Sequence, residues 1–278
     1  MTGGPPRRTI VFVGATSGIG RQAARRLAAD GHRLVLVGRD PRRSEHLRSE
    51  LPNATVVTAD IATASGVSRV VCAITASVDH VDTLVNNAGV MLPDRRVTTE
   101  GVELNLAVHH LAPHRLTREL LPLLRRGDGR VVNVNSEGHR VALFNTAPIE
   151  IDFTDLNGER GYDPFVAYSR SKLANLLDTY EFHRRYAELT IVVHPGMVRT
   201  DLGRNFPRVR VAAMHAISIS ARKGAEPVVH LATAANIQGG TYYNRFTPLR
   251  SSGASYNEAS ADRLWRQAEQ PPTAPIAD

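Results

Sequence analysis

Short, uninterrupted apolar runs alternate along this chain with longer stretches in which apolar residues recur every three or four positions. Thr9 to Val13 is a five-residue run closed by Gly14, the length and composition of a buried strand. Gly20 to Asp30 follows with helical spacing, Ala23, Ala24, Leu27 and Ala28 sharing one face, and Gly31 ends it. The alternation continues: strands at Arg33 to Val37, Ala54 to Thr58, Thr83 to Asn86, Arg130 to Val134 and Thr190 to His194, and helices from about Ala62 to Ser77, Glu100 to Arg125 and Phe165 to Tyr186. A last helix and short strand, Ala221 to Ala234 and Gly240 to Tyr243, precede the tail. Buried strands separated by helices of this length define βαβ units, whose crossovers are right-handed. The pattern therefore predicts an α/β chain with a single doubly wound parallel sheet and helices on both faces. No linker divides it, so residues 1–278 are read as one domain with a core of about 9–265 and loose tails at 1–8 and 270–278. Such sheets bind ligands at the carboxyl ends of their strands.

Composition narrows the class. Hydrophobic residues at 42% can fill a core, which excludes wholesale disorder. The single cysteine, Cys72, rules out an intrachain disulfide and any multi-cysteine metal cluster, and fits a reducing compartment. No run approaches the roughly 18 apolar residues of a membrane span, and the N-terminus lacks the apolar stretch of a signal peptide. A cytoplasmic protein is the expectation. The net charge of +7 comes from 32 Arg and two Lys, set out in short bursts such as Arg42-Arg43 and Arg184-Arg185 beside acids or turn residues. With no polybasic tract and only 5% aromatics, the charge reads as solvated surface and no nucleic-acid partner is expected. The five histidines from His80 to His139 are likewise expected at the surface, and no metal site is expected.

Two motifs carry chemistry. Between the first strand and first helix lies Gly14-Ala15-Thr16-Ser17-Gly18-Ile19-Gly20. Gly14 permits a tight turn, Gly18 close approach of backbone to a pyrophosphate, and Gly20 close packing of the helix. The helix N-terminus offers free N–H groups to an anion. Alone, a Gly-rich turn is weak evidence; its place between strand and helix strengthens it. Farther on, Tyr168-Ser169-Arg170-Ser171-Lys172 sets a phenol and an ammonium four residues apart on one helical face. A cation there is expected to lower the phenol pKa and produce a usable proton donor and acceptor. With two lysines and seven tyrosines in the chain, this spacing is uncommon by accident.

Taken in order, these motifs resemble the short-chain dehydrogenase/reductase superfamily, a Rossmann-fold family whose turn usually reads T-G-x-x-x-G-I-G. Val13 stands where that Thr usually is. The resemblance covers about Thr9 to Trp265 and implies a nicotinamide cofactor. Gly38 occupies the position where NAD-preferring relatives carry an acid, and Arg39 follows, which favours NADP(H) while leaving NAD(H) open; Arg39 could equally point to water. Asp60-Ile61 would contact adenine, unless Asp60 is only a turn residue. Asn86-Asn87-Ala88-Gly89 would brace the sheet and approach the ribose, and Pro195, Gly196, Val198 and Thr200 would fix the carboxamide.

The resemblance also implies the reaction. Ser136 would hydrogen-bond the substrate oxygen, or else merely cap a strand end. Tyr168 would serve as general acid/base and Lys172 would bind the nicotinamide ribose. His109 stands where many relatives have a relay Asn whose backbone carbonyl holds a water. Pro113, lacking an N–H, would keep the His109 carbonyl available, and Asn105 one turn earlier is the candidate to supply the missing amide. Thirty-two residues separate Ser136 from Tyr168. That insertion, Lys172-Leu173-Ala174-Asn175 and Arg263-Leu264-Trp265 resemble the retinol dehydrogenase-like and protochlorophyllide reductase-like branch. The expected activity is hydride transfer between nicotinamide and a small-molecule carbonyl or alcohol, hydrophobic in character, by a chain that could form homo-oligomers. The segment from Arg199 to Ile219 is where relatives place a lid, and its Arg204, Arg208 and Arg210 either bind an acidic group or lie on a solvated helix. The rival reading is an NADP-binding regulator or scaffold with little turnover.

Overall fold

The computed structural model describes residues 6–142, 147–186, 189–207, 211–212 and 218–270. Eight strands form one sheet: β1 (Thr9–Val13), β2 (Arg33–Gly38), β3 (Thr55–Thr58), β4 (Thr83–Asn86), β5 (Arg130–Val134), β6 (Leu189–His194), β7 (Thr241–Asn244) and β8 (Thr247–Leu249). Their order is β3-β2-β1-β4-β5-β6-β7-β8, every neighbouring pair parallel except the antiparallel hairpin β7·β8. The strand order reverses between β1 and β4, which places the ligand crevice beyond Val13 and Asn86, partners in register.

Alternation along each strand builds two cores. Ile10, Phe12, Leu36, Val85, Val132 and Val193 face α1 (Gly18–Ala29) and the late helix from Ala221 to Thr233. Val11, Val13, Val37, Leu84 and Val131 face α3 (Ala64–Ser77) and the helix after β4. Both sides being apolar explains why these strands read as continuous hydrophobic runs.

Two helices escaped the sequence pattern. α2 (Pro41–Glu50) is mostly charged, with only Ser44 and Leu47 buried, yet Asp40 caps it by accepting from the Arg43 N–H at 3.0 Å. The last helix, Glu258–Ala268, lies in the stretch read as a tail and is capped by Asn257. Its Leu264 and Trp265 are buried. Arg8, expected in a loose tail, is also buried; its N–H donates to His32 Nδ1 at 3.1 Å and its carbonyl accepts from the Arg33 N–H.

The helix after β4 begins at Leu104 rather than near Glu100. It runs as α4 (Leu104–Leu106), a π-helical turn (Ala107–Leu111) and α5 (Ala112–Leu124). The Ala112 N–H reaches back five residues to the Ala107 carbonyl, and Pro113 next to it has no N–H to continue an ordinary ladder. Opposite lies α6 (Pro164–Tyr186), followed after β6 by α7 (Ala221–Thr233) and finally α8 (Glu258–Ala268), which packs on α6.

Candidate active site

The Gly-rich turn sits at the mouth of the crevice. Gly14 has φ +86°, and a Cβ there would lie 2.6 Å from the Ala88 nitrogen, so the turns after β1 and β4 touch backbone to backbone. Gly20 is equally constrained, since a Cβ would come within 1.9 Å of the Gly14 carbonyl. Asn87 ties the two turns by donating from Nδ2 to that carbonyl at 2.9 Å. At the start of α1, the Ser17 side chain makes no cap and the first turn holds no acid, so its N–H groups and dipole face the crevice uncompensated. Thr200 lies over the same turn, its Cγ2 3.2 Å from where a Gly18 Cβ would be. Pro195 is buried at the end of β6, Gly196 has φ +96°, and Val198 pairs with Ile219 and packs on Gly224 of α7.

Beside this turn a cavity of about 440 Å³ is bordered by Thr16, Arg21, Arg42, Arg43 and His46. Gly38 is closed to a side chain, because a Cβ would meet Thr16 Cγ2 at 2.1 Å. Arg39 is half exposed, with its guanidinium 3.9 Å from Asp60. Asp60 accepts from the Ala62 N–H at 3.1 Å, so it does serve its turn, while Ile61 belongs to the core. The residues present fit a dinucleotide: a turn stripped of side chains, an uncapped helix end and cationic walls.

Across the crevice, Ser136 follows β5 and caps the next turn, and both its Oγ and the Tyr168 ring border Gly138, near enough for the serine to favour the phenolate. Gly138 N–H donates to Ser136 Oγ at 3.1 Å. Lys172 Nζ lies 5.8 Å from the centre of the Tyr168 ring and donates to the Val134 carbonyl at 2.9 Å. The three side chains expected to act together are thus adjacent. Their electrostatics differ from expectation. Burial pushes the Tyr168 phenol up to about 12, although the Ser136 hydroxyl opposes this, and burial brings the Lys172 amine down to about 7. Desolvation is the dominant influence on both groups and outweighs the pull of the amine on the phenol.

His109 is also corrected. Pro113 offers the His109 carbonyl no helical N–H, and Asn175 Nδ2 donates to it at 2.9 Å. The imidazole is buried, accepts at Nε2 from the Val90 N–H (3.1 Å), and lies 2.7 Å from Ser171 Oγ through Nδ1. Since Nε2 accepts, the ring proton is on Nδ1 and goes to Ser171, which passes its own to the Tyr168 carbonyl. The ring stands edge-on to Tyr168 at 5.4 Å, and burial holds its pKa well below the usual value. Asn105 does not replace the relay amide: its Nδ2 donates to Glu103 (2.7 Å) and Tyr162 (3.1 Å). Of the five histidines expected at the surface, His109, His110, His114 and His139 are buried and only His80 is partly exposed.

Sequence reading passed over Asn175 and Asn135 as site residues. Asn135 Nδ2 donates both to the Lys172 carbonyl (2.9 Å) and to Asn175 Oδ1 (2.8 Å), joining β5 to α6 behind the site. The available signal was a polar stripe at helical spacing, Ser171, Lys172, Asn175, Asp178 and Thr179, within the stretch from Ser171 to Phe182 that is buried without a break. The insertion after Ser136 docks through Asn157, which accepts from the Glu103 N–H (3.0 Å) and donates to the Gly101 carbonyl (3.1 Å). Its Ile149, Ile151, Phe153 and Leu156 join Met91, Leu202 and Phe206 in an apolar cluster that Tyr168 borders. In the expected lid, Arg204 is exposed and Phe206 buried, whereas Arg208 and Arg210 lie outside the described residues.

A doubly wound sheet with a phosphate-type turn facing a Ser-Tyr-Lys cluster defines a dinucleotide-dependent oxidoreductase class. The family model described as short chain dehydrogenase matches residues 8–148. A curated protein of Streptomyces sp. (strain C5) named "Putative daunorubicin C-13 ketoreductase DnrU" is 36% identical over 274 residues, covering 95% of this chain and 92% of its own. Human retinol dehydrogenase 12 is 32% identical, covering 94% and 84%. A solved structure of an uncharacterised protein from Mycobacterium paratuberculosis superposes with a TM-score of 0.75 at 30% identity, over 96% of this chain and 94% of that one. The chain belongs to the short-chain dehydrogenase/reductase superfamily, in its retinol dehydrogenase-like branch. It is an oxidoreductase fold for hydride transfer with a nicotinamide cofactor. Among the described residues, no helix is long and apolar enough to cross a membrane, and no group of residues is arranged to hold a metal.

Proposed function

We propose that this chain is an NADP(H)-preferring carbonyl reductase for apolar ketones or aldehydes, with Tyr168 as the proton donor. The observation that carries the reading is the grouping of Ser136, the Tyr168 ring and Lys172, with Ser136 Oγ and the Tyr168 ring both bordering Gly138 and the Lys172 amine 5.8 Å from the ring centre. When bound, the nicotinamide supplies the hydride in reduction. Ser136 orients and polarises the substrate oxygen through its hydroxyl, whose acceptor side is already engaged by Gly138. Tyr168 gives its proton to that oxygen. A phenol held up at about 12 is protonated across the neutral range, which suits an acid better than a base and favours reduction over oxidation. Lys172 binds the ribose and, in its ammonium form, stabilises the phenolate as it forms. The apolar cluster around Met91, Leu202 and Phe206 supports a hydrophobic substrate.

The cofactor preference rests on charge and space. At the end of β2, Gly38 has no room for the acid that would reject a 2′-phosphate, and Arg39, Arg42 and Arg43 stand near the cavity or beside it. The test is a panel of apolar aldehydes, ketones and matching alcohols followed at 340 nm with each cofactor. NADPH should exceed NADH in kcat/KM by about tenfold or more. Tyr168→Phe should lower kcat by about 10²–10⁴-fold while cofactor binding stays within twofold. An enzyme that turns over equally well without the phenol would overturn the assignment, as would NADH preference for the cofactor reading.

A further inference from the structure

The turn that carries Ser136 is fastened from behind by a residue that no motif marks. His139 ends the short 3-10 turn Glu137–His139, is fully buried, and meets the Tyr242 ring edge-on at 5.0 Å. Its Nδ1 lies 2.6 Å from the Ser136 carbonyl oxygen, and its Nε2 lies 3.2 Å from the Ser252 backbone nitrogen. A backbone N–H can only donate, so Nε2 presents its lone pair to Ser252. The single proton of the neutral ring is then on Nδ1 and is donated to the Ser136 carbonyl. Both nitrogens are used, and the fold selects one tautomer.

We propose that His139 is a positioning residue for Ser136, and that through it the active-site serine depends on the docking of the C-terminal segment 250–256. This rests on the reading of Ser136 as the group that orients the substrate oxygen. The segment is anchored by polar contacts rather than by a large apolar face. Arg140 Nη2 donates to the Arg250 carbonyl at 2.6 Å, the Tyr180 and Ser251 hydroxyls are 2.8 Å apart, and the Ser251 N–H donates to the Tyr256 hydroxyl at 3.3 Å. Tyr180 and Tyr256 stack at 5.3 Å. The Ser252 N–H is the link from this segment to His139.

Loss of that link reaches the reacting groups by a short path. The Ser136 carbonyl also accepts the His139 N–H at 3.3 Å, and Ser136 Oγ accepts the Gly138 N–H, so carbonyl and hydroxyl are held by the same three-residue turn. Releasing the imidazole loosens the turn and frees the hydroxyl to rotate away from Tyr168. The Gly-rich turn and the 195–200 turn lie on other elements, so cofactor binding is left alone. An imidazolium would set a ring N–H against the Ser252 N–H. Burial holds the ring pKa down at about 4, with Arg140 and His194 assisting and the Ser136 carbonyl and Glu137 opposing, so the accepting form persists at neutrality.

The test compares His139→Asn, His139→Gln and Ser252→Pro with wild type and Tyr168→Phe in the full-length protein. The assay uses the aldehyde or ketone of the panel that the wild type reduces best. Asn keeps an amide N–H at the Nδ1 position, towards Ser136; Gln keeps only a group at the Nε2 position, towards Ser252. Ser252 has φ −62°, which the proline backbone adopts, and the ring Cδ would stand where the N–H now meets Nε2, so Ser252→Pro deletes the donor and presses the imidazole away from segment 250–256. His139→Gln should lower kcat about tenfold or more, with KM and cofactor Kd within twofold, and His139→Asn, which keeps the N–H towards Ser136 but loses the bond from Ser252, should show only the smaller loss of Ser252→Pro. Ser252→Pro should lower kcat by roughly three- to tenfold. Equal losses in the Asn and Gln variants, losses that follow Tm, or unchanged kcat in Ser252→Pro would overturn the proposal; the last decides it alone if the His139 variants do not fold. A wild type no faster than Tyr168→Phe sinks the reductase reading and this proposal with it. Normal wild-type turnover with unaffected variants sinks this proposal only.

Discussion

Lys172 shows what a buried cation costs the fold. Only 6% exposed, its amine is brought down to about 7 from the usual 10.5 by desolvation. Between those two values the unfolded chain binds a proton that the folded chain does not, so stability contributed by this group rises with pH across that window. Lys172→Met removes the penalty and should stabilise the protein by roughly 1–3 kcal/mol at pH 7 while abolishing turnover, as thermal melts beside the 340 nm assay would show. A lower Tm in Lys172→Met would mean that the bond from Nζ to the Val134 carbonyl outweighs desolvation. If Tyr168 is the proton donor, as proposed, it sets the direction of pH dependence for the reaction. With its phenol at about 12, oxidation of an alcohol, which needs the phenolate, should climb with pH to beyond pH 9. Reduction should hold its rate at neutrality. A pH-rate profile for each direction tests this, and oxidation that levels off below pH 8 would contradict it.

At the scale of elements, buried histidines act as rivets between helices. His114 on α5 contacts Asp178 of α6 at 2.8 Å through Nδ1 and Glu269 just after α8 at 3.1 Å through Nε2, under the rings of Phe182 and Trp265. Burial opposes its charge, but the Asp178 carboxylate and the hydrogen bonds from Asp178 and Glu269 prevail and raise its pKa. Stability from a raised histidine is complete below the unfolded value of 6.5 and is lost as pH rises through the folded value. The hold of α8 on α5 and α6 should therefore weaken towards alkaline pH. Trp265, the sole tryptophan, reports it directly: its emission should shift to the red as pH rises above 6.5 through the raised value of His114, and His114→Gln should remove the pH dependence. A flat wild-type profile would contradict the rivet. The same elements explain what the sequence concealed. α2 has few apolar positions and buries only one side of itself, and α8 is short, so neither gives a strong periodic signal, although Asp40-Pro41 and Asn257 are legible caps. The π turn at Ala107–Leu111 was half legible: Pro113 announces a break in the ladder, but which group takes the freed carbonyl depends on Asn175, on α6 and far along the chain.

Over the whole molecule, the surplus of arginine is largely spent on local pairing. Arg21 and Arg25 share Glu50, Arg184 and Arg185 share Glu181, and Arg118 meets Glu269. Among the described residues these pairs are spread over α1, α5 and α6, where carboxylates offset the cations locally. Retention on immobilised duplex DNA should be negligible at about 150 mM salt; retention that persists there and falls steeply with added salt would restore a nucleic-acid role. In the cavity beside the Gly-rich turn, Arg21, Arg42 and Arg43 lie together.

The chain alone determined the sheet, its winding and the crevice, because strand and helix periods are local and burial on both faces leaves continuous apolar runs. It also determined which residues meet there, since Gly14 to Gly20, Ser136 and the Tyr168–Lys172 pair lie at the ends or on one face of those elements. Protonation states were decided only by the tertiary structure. Whether an amine four residues from a phenol is an ammonium depends on how much water the folded chain removes from both, and here removal dominates. The roles of the histidines were decided in the same way: His109, His114 and His139 find their partners 62, 64 and 113 residues away, distances at which no spacing rule speaks.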